Sequence, residues 1–203
     1  MTVKEKLIES ITPILLKYGV RSVSMDDMAK MLGISKKTIY SHIENKKGLI
    51  QTVISSYIQK EHKEVNKIRK KASNAIEEMT LIARFNIDSL RTMSPMIVYE
   101  LKKYHPSTWK FIETIHFEFI KTTIQNNLIR GKKENLYRED VDENIITQLY
   151  FGLSMVCIDE DVFDSETTPL STRFLSMIIY HLNGVINEKG KKELKKQINN
   201  IVS

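Results

Sequence analysis

Apolar residues in this chain recur at three- and four-residue intervals, with no alternating runs bounded by turns, so the chain is predicted to be all-α. Leu7, Ile8, Ile11, Ile14, Leu15 and Tyr18 form one stripe that stops at Gly19, a residue suited to closing a helix. Pro13 falls inside that stripe and predicts a kink or an irregular first turn, because proline has no N–H and its ring crowds the preceding turn. Ser24 opens a short helix with Asp26 and Asp27 in its first turn, where carboxylates oppose the positive dipole end; it runs to Leu32 and stops at Gly33. Ser35 opens a second short helix, through Ile43. Asn45 caps a long one reaching about Lys71, with Leu49, Ile50, Val53, Ile54, Tyr57 and Ile58 facing inward. At 1.5 Å per residue this helix is about 40 Å long, enough to join a head to a body.

Ser94-Pro95, His105-Pro106 and Thr168-Pro169 each place proline at a first helical position, where its missing N–H costs nothing. They divide the remainder into helices near 74–92, 95–104, 106–131, 142–158 and 169–186, followed by a basic tail. Lys189 through Lys196 holds five lysines, with Leu194, Ile198 and Ile201 on one face, and is expected to pack on the body as a solvated amphipathic helix.

Composition narrows the class. A single cysteine, Cys157, excludes an internal disulfide framework and points to a reducing compartment. Lys4, Glu5, Lys6 and Glu9 interrupt any apolar leader in Met1–Leu15, and the most apolar later stretch, Ile145–Ile158, is too short to span a bilayer. A cytoplasmic protein without a membrane partner is expected. The net charge of +6 is uneven: residues 1–50 hold nine Lys/Arg against five Asp/Glu, and the rest hold 22 against 20. A quarter of the chain thus carries four of the six excess charges, as suits a basic head meeting phosphates.

Two short helices separated by a glycine turn, the second rich in lysine and hydroxyl groups, describe a helix-turn-helix. Met28, Ala29, Leu32, Ile34, Ile39 and Ile43 supply the positions that hold the pair together, and Ala29 is small where the helices cross. Lys36, Lys37, Thr38, Tyr40, Ser41 and His42 are left for solvent or DNA. Asn45 leaves the first N–H groups of the long helix aimed at an anion, with Lys46 adding charge.

The run from Ser24 through Leu49 resembles the TetR family of transcriptional regulators. It has a capped helix with an Ala core, a Gly33-Ile34-Ser35 turn, a Thr38-Ile39-Tyr40 recognition helix and Lys46 opening the next helix. The strong resemblance covers about 45 N-terminal residues. Lys37, Ser41 and Ile43 depart from the residues usual at their positions, and Pro13 departs from the usual unbroken first helix. The resemblance implies a head that docks in the major groove of double-stranded DNA. It implies that Thr38, Tyr40 and Lys46 contact the phosphate backbone, with Ser24 and Ser35 beside them. Lys36, Lys37, Ser41 and His42 stand where side chains reach base edges; a good lysine contact to guanine is worth about 1–3 kcal/mol of discrimination. It divides the chain into a DNA-binding domain at 1–46 and a helical effector-binding and dimerisation domain at 47–203.

In that family the last two large helices pair with their symmetry mates as a four-helix bundle. Ile145, Leu149, Leu153 and Val156 form one candidate seam, and Phe174, Ile178 and Leu182 another, so a homodimer on an inverted-repeat operator is expected. Family members also bind a small molecule in the body, which weakens DNA binding. Phe85, Tyr99, Trp109, Ile112, His116, Phe119, Phe151 and Met155 are the candidate pocket, and their apolar, aromatic character suits a hydrophobic effector. The alternative is a DNA-binding regulator without an effector, controlled by a protein partner through the body. Enzymatic function is not expected: no nucleophile elbow, phosphate loop or paired carboxylates occur, and no histidine shares metal-ligand spacing with another or with Cys157. Neither a catalytic residue, a cofactor nor a metal is assigned.

Overall fold

Side-chain caps set where the helices begin. The computed structural model describes residues 2–164 and 166–197. The elements are α1 (Val3–Tyr18), α2 (Met25–Leu32), α3 (Lys36–Tyr40), α4 (Lys46–Lys71), α5 (Ala75–Leu90), α6 (Ile97–Tyr104), α7 (Pro106–Phe111), a π-helical segment (Ile112–His116), α8 (Phe117–Lys133), α9 (Glu143–Cys157), α10 (Leu170–Val185) and α11 (Glu188–Gln197). Thr2, Ser24, Ser35, Asn74 and Asp142 each accept a hydrogen bond from a backbone N–H in the first turn of the following helix. Among the described residues there is no strand; a single antiparallel bridge pairs Tyr137 with Ile186.

Several boundaries differ from those read off the sequence. Pro13 lies within an unbroken helical run from Val3 to Tyr18. α3 ends at Tyr40, three residues early, because Ser41 and His42 turn the chain toward the buried anchor Ile43. α6 starts at Ile97, after a turn in which Ile97 N–H donates to Ser94 O, so Pro95 precedes the helix. Pro169 likewise stands just outside α10. The expected single helix over 106–131 is instead α7, a π turn and α8. The wider i→i+5 turn shifts the phase, leaving Ile112 buried and Ile115 exposed. In the tail, Leu194 is buried, while Ile198 and Ile201 lie outside the described residues.

The chain divides into two compact units, residues 1–62 with 92–116 and residues 63–91 with 117–203. In the first, Ile11, Leu15, Val20, Met28, Ile39, Leu49, Ile50 and Val53 are wholly or almost wholly buried. This common core is what holds α3, which at five residues is too short to be stable alone. In the second, α5, α8, α9 and α10 enclose Ile76, Met79, Leu128, Tyr137, Ile178 and Leu182.

Polar staples pin the second unit. Tyr137 Oη donates to Asn127 Oδ1 at 2.8 Å, and Asn127 Nδ2 donates to Ala75 O at 2.9 Å. The Arg130 guanidinium meets Glu78 at 2.8 Å, Glu134 at 2.7 Å and Ala72 O at 2.9 Å. Gly131 is required beneath the Tyr137 ring, since a Cβ there would come within 2.2 Å of Cδ2. The Arg173 side chain is fully buried between α9 and α10, donating to the carbonyls of Cys157, Phe163 and Thr168 and pairing with Glu160 at 2.9 Å. Each staple satisfies buried polar atoms whose exposure to an apolar interior would otherwise be costly.

Candidate nucleic-acid interface

The helix pair α2–α3 is built from reciprocal caps. Ser24 Oγ accepts from the Asp27 N–H at 3.1 Å, while Asp27 Oδ2 accepts from Ser24 N–H at 2.9 Å and from Ser24 Oγ at 2.6 Å. These bonds from Ser24 hold the Asp27 carboxyl below its ordinary range. Gly33, at φ 65°, closes α2 in the left-handed conformation, and Ile34 N–H reaches back to Ala29 O at 3.0 Å. Ser35 Oγ then accepts from Thr38 N–H at 3.0 Å and lies 2.8 Å from Thr38 Oγ1.

Ile39 and Ile43 anchor this segment by burial, and Met28 and Ala29 of α2 are buried as well. The remaining circumference is open: Lys36, Lys37, Thr38, Tyr40 and Ser41 are exposed, Tyr40 at 44%. Lys36 Nζ pairs with Asp26 at 2.8 Å, but both side chains are solvated and such pairs contribute little, so the lysine is free to exchange partners. Ser41 Oγ donates to Thr38 O at 2.8 Å. His42 is half-buried in a cleft against Val3, Lys6, Leu7 and Ser10 of α1.

At the start of α4, Asn45 Oδ1 accepts from Gly48 N–H at 2.8 Å. Lys46 is half-buried, and its Nζ donates to Arg21 O at 3.3 Å. Burial lowers its pKa from the ordinary lysine value, partly offset by the charges of Glu100 and Asp27. In the present structure, therefore, Lys46 braces the α1–α2 loop.

The residue that sequence reasoning missed is Glu100. It is buried on α6 and accepts from Val20 N–H at 2.7 Å and Arg21 N–H at 3.0 Å. Gly19, at φ 87°, leaves room for it, since a Cβ there would sit 2.7 Å from Glu100 Oε2. Arg21 Nη1 donates to Tyr104 Oη at 2.7 Å. The available signal was the i, i+3, i+4, i+7 stripe Ile97, Glu100, Leu101, Tyr104, in which a carboxylate occupies an inward position.

The eight candidate pocket residues are divided between the units. Tyr99, Trp109, Ile112 and His116 belong to the first. Tyr99 is exposed, Ile112 is buried, and Trp109 Nε1 donates to Glu113 at 2.8 Å. His116 stacks on His62, with Nδ1 and Nε2 3.1 Å apart, and burial presses its pKa down to about 4. Glu61, 3.9 Å from His116 Nε2, is pushed up to about 7 by burial. Phe85, Phe119, Phe151 and Met155 belong to the second unit and are half-buried, with Phe117 packed edge-on against Phe151 at 5.1 Å.

The two apolar stripes expected at a dimer seam have different surroundings. On α9, Ile145, Leu149, Leu153 and Val156 are all exposed, Ile145 at 60% and Leu149 at 56%. On α10, Ile178 and Leu182 are buried in the core of their own unit and Phe174 packs against it, so that stripe faces inward. The outer side of α10 instead carries Ser176, Tyr180, Asn183 and Gly184.

Among the described residues no group of three or more His, Cys, Asp or Glu side chains is arranged to hold a metal ion, and no helix is long and apolar enough to cross a membrane. No protein-family model matches the chain. The chain is 25% identical over 152 residues to the uncharacterised HTH-type transcriptional regulator YvaF of Bacillus subtilis, covering 73% of this chain and 77% of that protein. A TetR-family transcriptional regulator from Agrobacterium tumefaciens superposes with a TM-score of 0.73 at 14% identity, covering 91% of this chain and 97% of the other. The transcriptional regulator FadR of Bacillus subtilis in complex with stearoyl-CoA superposes with a TM-score of 0.66 at 16% identity, covering 89% and 98%. The all-α fold is that of the solved TetR-family structures on which the chain superposes, and the curated relative is an HTH-type transcriptional regulator.

Proposed function

We propose that this chain is a sequence-specific DNA-binding transcriptional regulator, a repressor that binds an inverted-repeat operator as a homodimer and leaves it when a hydrophobic small molecule binds the body. The observation that carries the reading is the α2–α3 pair. Its core is completed by the buried isoleucines, so the exposed side chains of Lys36, Lys37, Thr38, Tyr40 and Ser41 are not needed for packing, and their local contacts are solvated and exchangeable. A rigid, basic, hydroxyl-rich helix face is what the major groove and its phosphates select.

Dimerisation is supported by the exposed stripe Ile145, Leu149, Leu153 and Val156, with exposed Gly152 permitting close approach. The effector is supported by the half-buried Phe85, Phe119, Phe151 and Met155 of the second unit and by the stearoyl-CoA held by the FadR neighbour. Release by an effector requires a coupling free energy of about 1–3 kcal/mol or more.

The test is selection of bound sequences from random duplex DNA by the full-length protein, followed by a salt series on the winning duplex. Enrichment of an inverted repeat, with affinity falling steeply in salt, is the expected result. Enrichment of no sequence would overturn the reading and leave α2–α3 as a structural motif.

A further inference from the structure

We propose that Arg21, Lys102, Lys103 and Tyr104 form a second phosphate-binding patch, continuous with the start of α4, that grips the DNA backbone outside the bases faced by α3. This rests on the reading that α2–α3 bind DNA.

The charges of this patch are held in a particular way. Several exposed lysines elsewhere are neutralised locally: Lys36 by Asp26, Lys67 by Glu64, Lys191 by Glu188, Lys196 by Glu193. Arg21, Lys102 and Lys103 pair with no carboxylate among the described residues and rest on aromatic rings instead. The Arg21 guanidinium lies 4.7 Å from the centre of the Tyr104 ring, Lys103 Nζ 5.1 Å from Tyr99 and 5.5 Å from Tyr104, and Lys102 Nζ 5.0 Å from Trp109. Cation–π contacts orient a cation without cancelling its charge, so the field stays available to an outside anion. The carboxylate on the same helix, Glu100, is buried, and it already accepts two backbone N–H groups.

Three contacts tie this surface to the helix-turn-helix. Glu100 fixes the backbone of Val20 and Arg21, Lys46 donates to Arg21 O, and Arg21 reaches Tyr104. The charges of Lys46 and Lys47 also bear on His105, directly after α6. The patch therefore adjoins the start of α4, where Lys46 and Lys47 add to the positive field. Arginine, lysine and tyrosine hydroxyl are the side chains that bind phosphate oxygens, which selects the DNA backbone over a neutral partner.

The experiment compares two duplexes carrying the sequence that the full-length protein enriches from a random pool. One is trimmed to the enriched bases, and the other extends about one helical turn beyond them at each end. The double variant Lys102→Ala, Lys103→Ala is expected to match wild type on the trimmed duplex. On the long one it is expected to bind roughly tenfold more weakly, with the slope of log K against log salt reduced by about 1 for each phosphate that the variant leaves unneutralised. Lys102→Arg, Lys103→Arg keeps the charge and is expected to restore both. Equal affinity and slope for wild type and the alanine variant on the long duplex, or equal weakening on both duplexes, would overturn the patch while leaving α2–α3 binding intact. Wild type binding neither duplex, with nothing enriched, would instead overturn the DNA-binding reading and the patch with it.

Discussion

In α3 and in the last turns of α8, similar densities of basic and polar side chains are put to opposite use. Along α8, Asn127 and Arg130 are turned inward and engage Ala75 O, Ala72 O, Glu78 and Glu134. Along α3 only Ile39 is turned inward, and the polar groups look out from a frame that other residues complete. The difference teaches that charge alone does not mark a binding surface. What marks it is polar chemistry left over after the caps and the core have been satisfied.

If that division is right, the two regions fail differently. Gly131→Ala drives a methyl into the Tyr137 ring, at 2.2 Å in the present geometry, and is expected to cost about 2–3 kcal/mol in urea unfolding. DNA affinity of the folded fraction should be unchanged; a selective loss of DNA binding at full stability would break the comparison.

The apolar stripes of α9 and α10 extend the same contrast. Leu149→Arg places a charge on the exposed α9 stripe and is expected to yield folded monomers in sedimentation, with helical circular dichroism retained. Persistence of a dimer would move the seam elsewhere.

A smaller effect is expected at Glu61, whose burial raises its pKa from 4.5 to about 7. A raised carboxyl pKa means that the folded state holds the proton more tightly than the unfolded chain. Its contribution is thus present below about pH 4.5 and lost as the pH climbs toward 7. His116, lowered to about 4 from 6.5 by burial and by His62, acts in the opposite sense, losing stability as the pH falls through that window. The stability difference between Glu61→Gln and wild type isolates the carboxyl. It should grow in favour of the variant up to about pH 7 and then level off, whereas a pH-independent difference would show that the proton is not involved.

Ser24→Ala removes one cap of α2 and is expected to cost about 1 kcal/mol, read from the shift of the urea midpoint. A neutral outcome would mean that packing alone orders the pair.

Much of the first unit was legible in the sequence because its signals are local. Ser24, Asp27 and Gly33 bound α2 where the pattern placed it, and Ser35 and Asn45 cap as their chemistry requires. What escaped the sequence is set by contacts distant in the chain. Ile178 and Leu182 have the spacing of a seam, yet they meet the core of their own unit. Glu100 finds its partners 80 and 79 residues away. The π turn at Ile112–His116 leaves composition unchanged and alters only the phase. Lys46, which its charge and position marked for a phosphate, is engaged with a loop carbonyl that no local pattern announces.

The most direct test of the central claim is the affinity of Tyr40→Ala for the selected duplex, measured beside its urea midpoint. Tyr40 is 44% exposed and outside the core, so affinity is expected to fall by roughly tenfold or more while the midpoint stays where it was. Unchanged affinity at an unchanged midpoint would show that the open face of α3 does not touch DNA.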